Sequence, residues 1–326
     1  MAQKQITIGV GTLVIALAAF SAATANAQAV KITEQPDKLR VEINGELFTE
    51  YRFQGAPHVY FYPVLGPGSL PMTRNYPMVA DSEGEAHDHP HHRSLWYSHG
   101  EVNKIDFWGE ASKSGKILHD KFLEVKSGDE FGVIKSENKW VAPNGDVICR
   151  GEQTVRIYNR PANERLLDFE VSFKAGDKPL VFGDTKEGSF ALRIAETMRL
   201  SQGKKQPGKG HIVQSTGVRD GDTWGKAAAW CDYYGPVKDK IVGIAIFDHP
   251  QNPRHPTYWH VRDYGLFAAN PFGIHDFEKK PAGAGDLTVA PGQSVTWRYR
   301  IYMHEGNEQQ GKVAEKYQEY VSQKPR

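Results

Sequence analysis

The sequence predicts an all-β protein, a large antiparallel β-sandwich of two extended sheets closed by one short helix near the carboxyl end. Three observations carry that expectation. Apolar and polar residues alternate at period two in run after run. Gly, Pro, Asn and Asp separate those runs, as turns require. Helical periodicity is convincing at one place only.

The first element is a hairpin. In "LRVEINGELFTEYRF" (39–53), Val41 and Ile43 lead into Asn44-Gly45, and Leu47, Thr49, Tyr51 and Phe53 follow. Asn-Gly between alternating segments is the strongest short hairpin signal, because both residues tolerate positive φ. The same alternation marks "DVICRGEQTVRIY" (146–158), "RLLDFEVSFKA" (165–175), "SFALRIAETMRLS" (189–201), "KIVGIAIFD" (240–248) and "SVTWRYRIYMH" (294–304). In "GKVAEKYQEYVSQK" (311–324), Val313, Tyr317, Tyr320 and Val321 share one helical face. There are no heptads, tandem repeats or low-complexity linkers. The expected organisation is one sandwich over residues 28–326, with two smaller sandwiches joined near residues 175–210 as the alternative.

Ahead of that domain stands "MAQKQITIGVGTLVIALAAFSAATANAQA". Lys4 precedes an apolar run from Ile6 to Phe20, and Ala25-Asn26-Ala27 has the small-x-small form of a cleavage site. Residues 1–27 therefore read as a secretory signal peptide and the mature protein as periplasmic or secreted, with no membrane segment. The alternative is an uncleaved anchor, for which the run is short and diluted by Gly9, Gly11 and Thr12. Lys and Arg number 40 against 39 Asp and Glu. That balance gives no electrostatic basis for capturing nucleic acid or an anionic membrane. Cys149 and Cys231 are the two cysteines, and their spacing leaves both a disulfide and separate buried thiols open.

Two segments resist the strand pattern, residues 57–115 and 248–277; in the second, Pro250, Pro253, Pro256 and Pro271 forbid a continuous ladder. Long irregular loops in compact domains are often functional, and both are crowded with titratable groups. "EAHDHPHHRSLWYSHG" (85–100) holds five histidines. Imidazole changes charge near neutral pH, so a small environmental push selects acid or base. His92, His99, His255 and His260 sit beside aromatics or arginines, and Glu187 lies at a loop–strand junction. A Glu and a His on opposite sides of a sugar ring suffice to move protons at a ring carbon. This reading makes His92 and His260 the leading acid or base, with Glu187 as carboxylate partner, and needs no cofactor. Arg93, Arg193 and Arg254 would orient the substrate, Trp96, Trp108 and Trp259 would stack on it, and His99, Asp248 and His255 would add polar contacts. For Glu187 the bland alternative is a solvated turn residue, and for any single Trp a core ring.

A metal reading stands beside it. On an extended backbone His87, His89 and His91 would point the same way, about 7 Å apart at successive Cα positions. With a carboxylate or a further His, such as His92, they could close on a divalent cation. Pro90 disturbs that extension. A third reading is a non-enzymatic sugar-binding module, which needs few histidines.

"DHPHHRSLWYSHGEVNKIDFW" (88–108), "DTKEGSFALRIAETM" (184–198), "FDHPQNPRHPTYWHVRDYGLFAANPFG" (247–273) and "VAPGQSVTWRYRIYMHEG" (289–306) resemble a bacterial domain family labelled PmoA-like, or "methane oxygenase". The likeness runs over essentially the whole mature chain. It implies secreted proteins associated with sugar use and a galactose-mutarotase-like sandwich, while the label itself implies a metal-dependent oxygenase.

Overall fold

Asn44 and Gly45 both take positive φ, 51° and 83°, in the computed structural model of the chain, which describes residues 1–3, 5, 29–202 and 206–323. The hairpin expected there forms, with Ile43 opposite Glu46. Its register slips at Val41/Glu42, so Thr49 pairs with Val41 and Leu47 with Glu42. Such a bulge turns one residue to the other face. The core therefore receives Phe48 in place of the expected Leu47, and Tyr51 as expected.

Five strands come first: β1 (Val30–Glu34), β2 (Lys38–Ile43), β3 (Glu46–Arg52), β4 (Tyr60–Val64) and β5 (Leu95–His99). Long strands follow in β6 (Lys116–Lys126), β7 (Phe131–Val141), β8 (Val147–Tyr158) and β9 (Glu164–Lys174), then β10 (Leu180–Phe182), β11 (Gly188–Arg193) and β12 (His211–Gln214). The chain continues through β13 (Trp230–Val237), β14 (Lys240–Asp248), β15 (Tyr258–Val261) and β16 (Leu266–Asn270). A one-turn helix α1 (Ile274–Glu278), β17 (Leu287–Val289), β18 (Ser294–Glu305) and the terminal helix α2 (Val313–Ser322) complete it.

One sheet runs β1-β2-β3-β4-β5-β11-β16-β15, the other β12-β13-β14-β18-β9-β8-β7-β6, and β10 pairs with β17 beside them. The ladders between these strands are antiparallel. The expected all-β architecture is what forms. Its core draws on both sheets, with Tyr97, Phe190, Trp259 and Phe267 from the first against Phe169, Phe173, Trp297 and Tyr299 from the second. Helix α2 buries Val313, Tyr317 and Tyr320 against Phe247 and Tyr302, on the face the periodicity identified.

The two segments expected to be irregular are not wholly so. Residues 57–115 contain β4 and β5, and 248–277 contain β15 and β16. The prolines fall outside β15 and β16, so they bound those strands without interrupting them. Of the leader expected at 1–27, only residues 1–3 and 5 are described. Among the described residues no helix is long and apolar enough to cross a membrane. Cys149 on β8 and Cys231 on β13 are free thiols.

Candidate active site

Alternation across the first sheet decides which residues reach the site. Trp96 on β5 lies opposite Ala191 on β11, Ala191 opposite Ala268 on β16, and Ala268 opposite His260 on β15. Successive strand residues point to opposite faces. This row therefore lies on the outer face, while Trp259, Ala269, Phe190 and Tyr97 belong to the inner core. The two alanines leave room above the outer face for the loops that cover it. Trp96 and Trp108 pack there with Ala191, Leu266 and Ala268, and Tyr264 leans on them.

Above that layer is a cleft of about 520 Å³ lined by His89, His91, His92, Gly100, Asp106, Trp108, Gly109, Thr185, Lys186, Glu187, His260, Arg262 and Tyr264. The histidine-rich loop before β5, the loop before β11 and the end of β15 thus meet at one opening.

Arg74 organises the first loop. Fully buried, it donates to the main-chain carbonyls of Tyr76, Ala86, Asp88 and His89 and to Asp88 Oδ1 at 2.6 Å. Arg193, also fully buried, reaches the same Oδ1 at 2.7 Å. Burial works against the Asp88 charge. The hydrogen bond from His89 and the guanidiniums of Arg193 and Arg74 outweigh it and hold the carboxyl well below the usual carboxylate range. Burial, with Arg74 adding, pushes Arg193 down to about 10, so it remains cationic at neutral pH.

Asp88 Oδ2 lies 3.2 Å from His89 Nδ1. An ionised carboxylate only accepts, so Nδ1 carries a proton, and in the neutral ring the lone pair lies on Nε2. The His89 ring lies parallel to His92 at 4.7 Å and to Tyr264 at 5.2 Å. Its left-handed backbone, φ 44°, overturns the extended arrangement expected of residues 87–91. His87 stacks on Tyr76 at 4.5 Å instead. Among the described residues no three His, Cys, Asp or Glu side chains gather so as to hold a metal ion. His87, His89 and His91 therefore do not form the expected triad.

Two of the other imidazoles are fixed by partners that can only donate. Arg193 Nη1 lies 3.1 Å from His92 Nδ1, and Trp224 Nε1 donates to His260 Nδ1 at 3.0 Å. Each ring is thus the neutral Nε2–H tautomer. Burial drives His92 well below its ordinary value, with the His91 and Arg193 charges adding. Burial, then Arg262 and Lys186, pushes His260 down to about 3. Chiefly through burial, His91 falls to about 4. His92 and His260 are accordingly hydrogen-bond donors at neutral pH, a different role from the exchanging acid or base expected of them.

Glu187 lines the cleft, paired with Lys186 Nζ at 2.6 Å. Asp106 is tied to the amides of Trp108 and Gly109 and to the Ser114 hydroxyl. Trp108 lines the cleft with a buried indole N–H that has no acceptor among the described residues. The remaining expected site residues lie elsewhere. Arg93 forks onto Glu110 at 2.6 and 2.7 Å. Trp96 is buried and donates to Ser98, which removes it as a stacking face. His99 is buried behind the loop before β11, bonded to Gly183 and Ser189. Trp259 faces the core and donates to the Ala228 carbonyl. Asp248 and His255 pair at 2.7 Å away from the cleft, and Arg254 is occupied by the carbonyls of Pro271, Gly285 and Asp286. Arg193 orients His92 and Asp88 and does not line the opening. Sequence reasoning missed Arg74, Asp88, Lys186, Arg262 and Tyr264. The adjacency of Asp88 and His89 was the available signal for a dyad.

The fold and cleft define a β-sandwich protein with an imidazole-lined site on the outer face of one sheet. The chain belongs to a family of unknown function, DUF6807, whose model matches residues 38–318. That description carries no oxygenase activity. No curated protein matches. Among solved structures, the Slr1438 protein from Synechocystis sp. PCC 6803 is similar at 8% identity and TM-score 0.36, over 86% of this chain and 97% of that one. A GalM/aldose epimerase homologue from C. elegans is similar at 8% and 0.33, over 86% and 100%. The 4-alpha-glucanotransferase from Thermococcus litoralis is similar at 10% and 0.32, over 86% and 40%. These likenesses are too distant to transfer a site.

Proposed function

We propose that this protein is an exported enzyme that acts on a sugar or oligosaccharide by proton transfer, with His89 as the general base. The observation that carries the reading is the Asp88–His89 pair at the cleft, its carboxylate anchored by two buried arginines. Asp88 fixes the His89 tautomer and stabilises the imidazolium formed when Nε2 takes a proton. The Nε2–H groups of His92 and His260 supply neutral donors for oxygen that gains negative charge, without giving up their own protons. Glu187 and Lys186 sit at the same opening as the counterpart for returning a proton. Export rests on the amino-terminal leader read in the sequence, and a sugar substrate on the polar, ring-lined opening.

The test is solvent exchange. Incubating a panel of oligosaccharides with the protein in deuterium oxide should place deuterium at one ring carbon. His89→Ala should slow that exchange by about 10²–10⁴-fold, the usual contribution of a positioned base. Ligand-dependent thermal shifts with no exchange or turnover on any sugar would instead identify a binding module.

A further inference from the structure

Every acidic group in the cleft is already engaged. Asp88 is held by two guanidiniums, Asp106 by two amides and a hydroxyl, and Glu187 by Lys186. Arg74, Arg93, Arg193 and Arg254 are likewise committed to acceptors in the protein. Arg262 differs: its guanidinium has neither ion-pair nor hydrogen-bond partner among the described residues. It stands 5.9 Å from the centre of the Trp224 ring and 5.3 Å from that of Tyr264, half-buried at the cleft wall. Two aromatic faces restrict a side chain that otherwise has many rotamers, and Arg presents a planar fork suited to a carboxylate. Beside it stands the Nε2–H of His260, and the indole N–H of Trp108 lacks an acceptor among the described residues. What the cleft has to spare is donors and positive charge.

From this we infer that the substrate is a sugar acid whose carboxylate binds Arg262 and the His260 Nε2–H. The inference rests on the proton-transfer reading and names its substrate class. It also locates the proton. His89 stacks on the same Tyr264 ring that Arg262 approaches, so the base and the carboxylate site share a wall. His89 Nε2 removes the hydrogen from the carbon bearing the carboxylate. The C–H electron pair moves into the carboxylate as an enediolate, whose added charge Arg262 and the imidazole N–H stabilise. The pair returns to that carbon when a proton comes back from solvent through the site. Where the neighbouring carbon carries a glycosidic oxygen, the pair can instead form a carbon–carbon double bond as that oxygen leaves and takes a proton.

Oligogalacturonate and oligoglucuronate, their methyl esters and their carboxyl-reduced forms test this, with affinity by calorimetry and deuterium uptake at C5 by NMR. The acid forms should bind and exchange, and Arg262→Gln should weaken acid binding by about tenfold to a hundredfold, the size of a charge-assisted hydrogen bond. Arg262→Lys should restore part of it, and neither change should alter the circular dichroism. Exchange on neutral sugars that Arg262→Gln leaves unchanged would overturn the carboxylate site while keeping His89 as base. Acid-selective binding that needs Arg262, without exchange, would keep the site and remove the proton transfer. Failure of every acid to bind would overturn the inference.

Discussion

Arg193 Nη1 donates to His92 Nδ1 at 3.1 Å, and that one contact decides what His92 can do. A guanidinium has no lone pair to offer, so His92 keeps its proton on Nε2 and contributes as a neutral donor. Glutamine at position 92 still presents an N–H, whereas alanine does not. Steady-state kinetics should therefore show His92→Gln within about tenfold of the parent and His92→Ala down by about 10²–10³, the cost of losing one preorganised donor. Equal losses in the two variants would mean that His92 exchanges protons.

Asp88 neutralises two fully buried guanidiniums. Asp88→Asn leaves both without their shared charge partner. Removing one member of a fully buried pair costs about 3–5 kcal/mol. The Asp88 side chain is 39% exposed, so solvent relieves part of that, and about 1–3 kcal/mol is expected. Urea denaturation measures it. A variant as stable as the parent would show that hydration alone supports Arg74 and Arg193.

Gly188 opens β11 beside the buried His99. A Cβ there would stand 2.5 Å from His99 Nδ1, closer than non-bonded atoms tolerate. His99 is held by Gly183 and Ser189 and packed against Phe272 at 4.4 Å, so it cannot swing aside freely. Gly188→Ala should cost about 1–3 kcal/mol, lowering the midpoint of thermal unfolding by several degrees. An unshifted midpoint would show that His99 gives way.

Acid should unfold this protein early. Burial pushes His58 and His260 to about 3 and His91 and His99 to about 4, against about 6.5 in the unfolded chain. Between those limits the unfolded state binds more protons, so stability falls as pH falls. Each group contributes a slope of about 1.4 kcal/mol per pH unit below 6.5. His304, raised by Asp232 against its burial, adds stability as pH falls toward 6.5 and, protonated in both states below that, leaves the decline at lower pH unopposed. Denaturant midpoints from pH 8 to pH 4 should decline below pH 6.5, and a flat profile would contradict the buried neutral imidazoles.

The scaffold was largely legible in the sequence because period-two alternation and Asn44-Gly45 are local signals. His92, His260 and Glu187, named together from three separate segments, do line one opening. Which residue of each pair would face the cleft was not legible. Trp259 and His260 are consecutive, and only the register of β15 against β16 sends one to the core and the other to the opening. The protonation of His92 and His260 depends on Arg193 and Trp224, 101 and 36 residues away in sequence. No local pattern encodes such partners. Arg254 and Arg262 look alike in sequence, yet backbone carbonyls absorb the first and two rings hold the second.

In the second sheet the strands β14, β18 and β9 lie between β13, which carries Cys231, and β8, which carries Cys149. Four strand spacings put the two sulfurs' backbones about 19 Å apart, beyond the roughly 7 Å that a bridge tolerates. Oxidant and reductant are therefore equivalent surroundings for this polypeptide. No internal cystine contributes to the fold, so a thiol reductant should leave the thermal midpoint where it is.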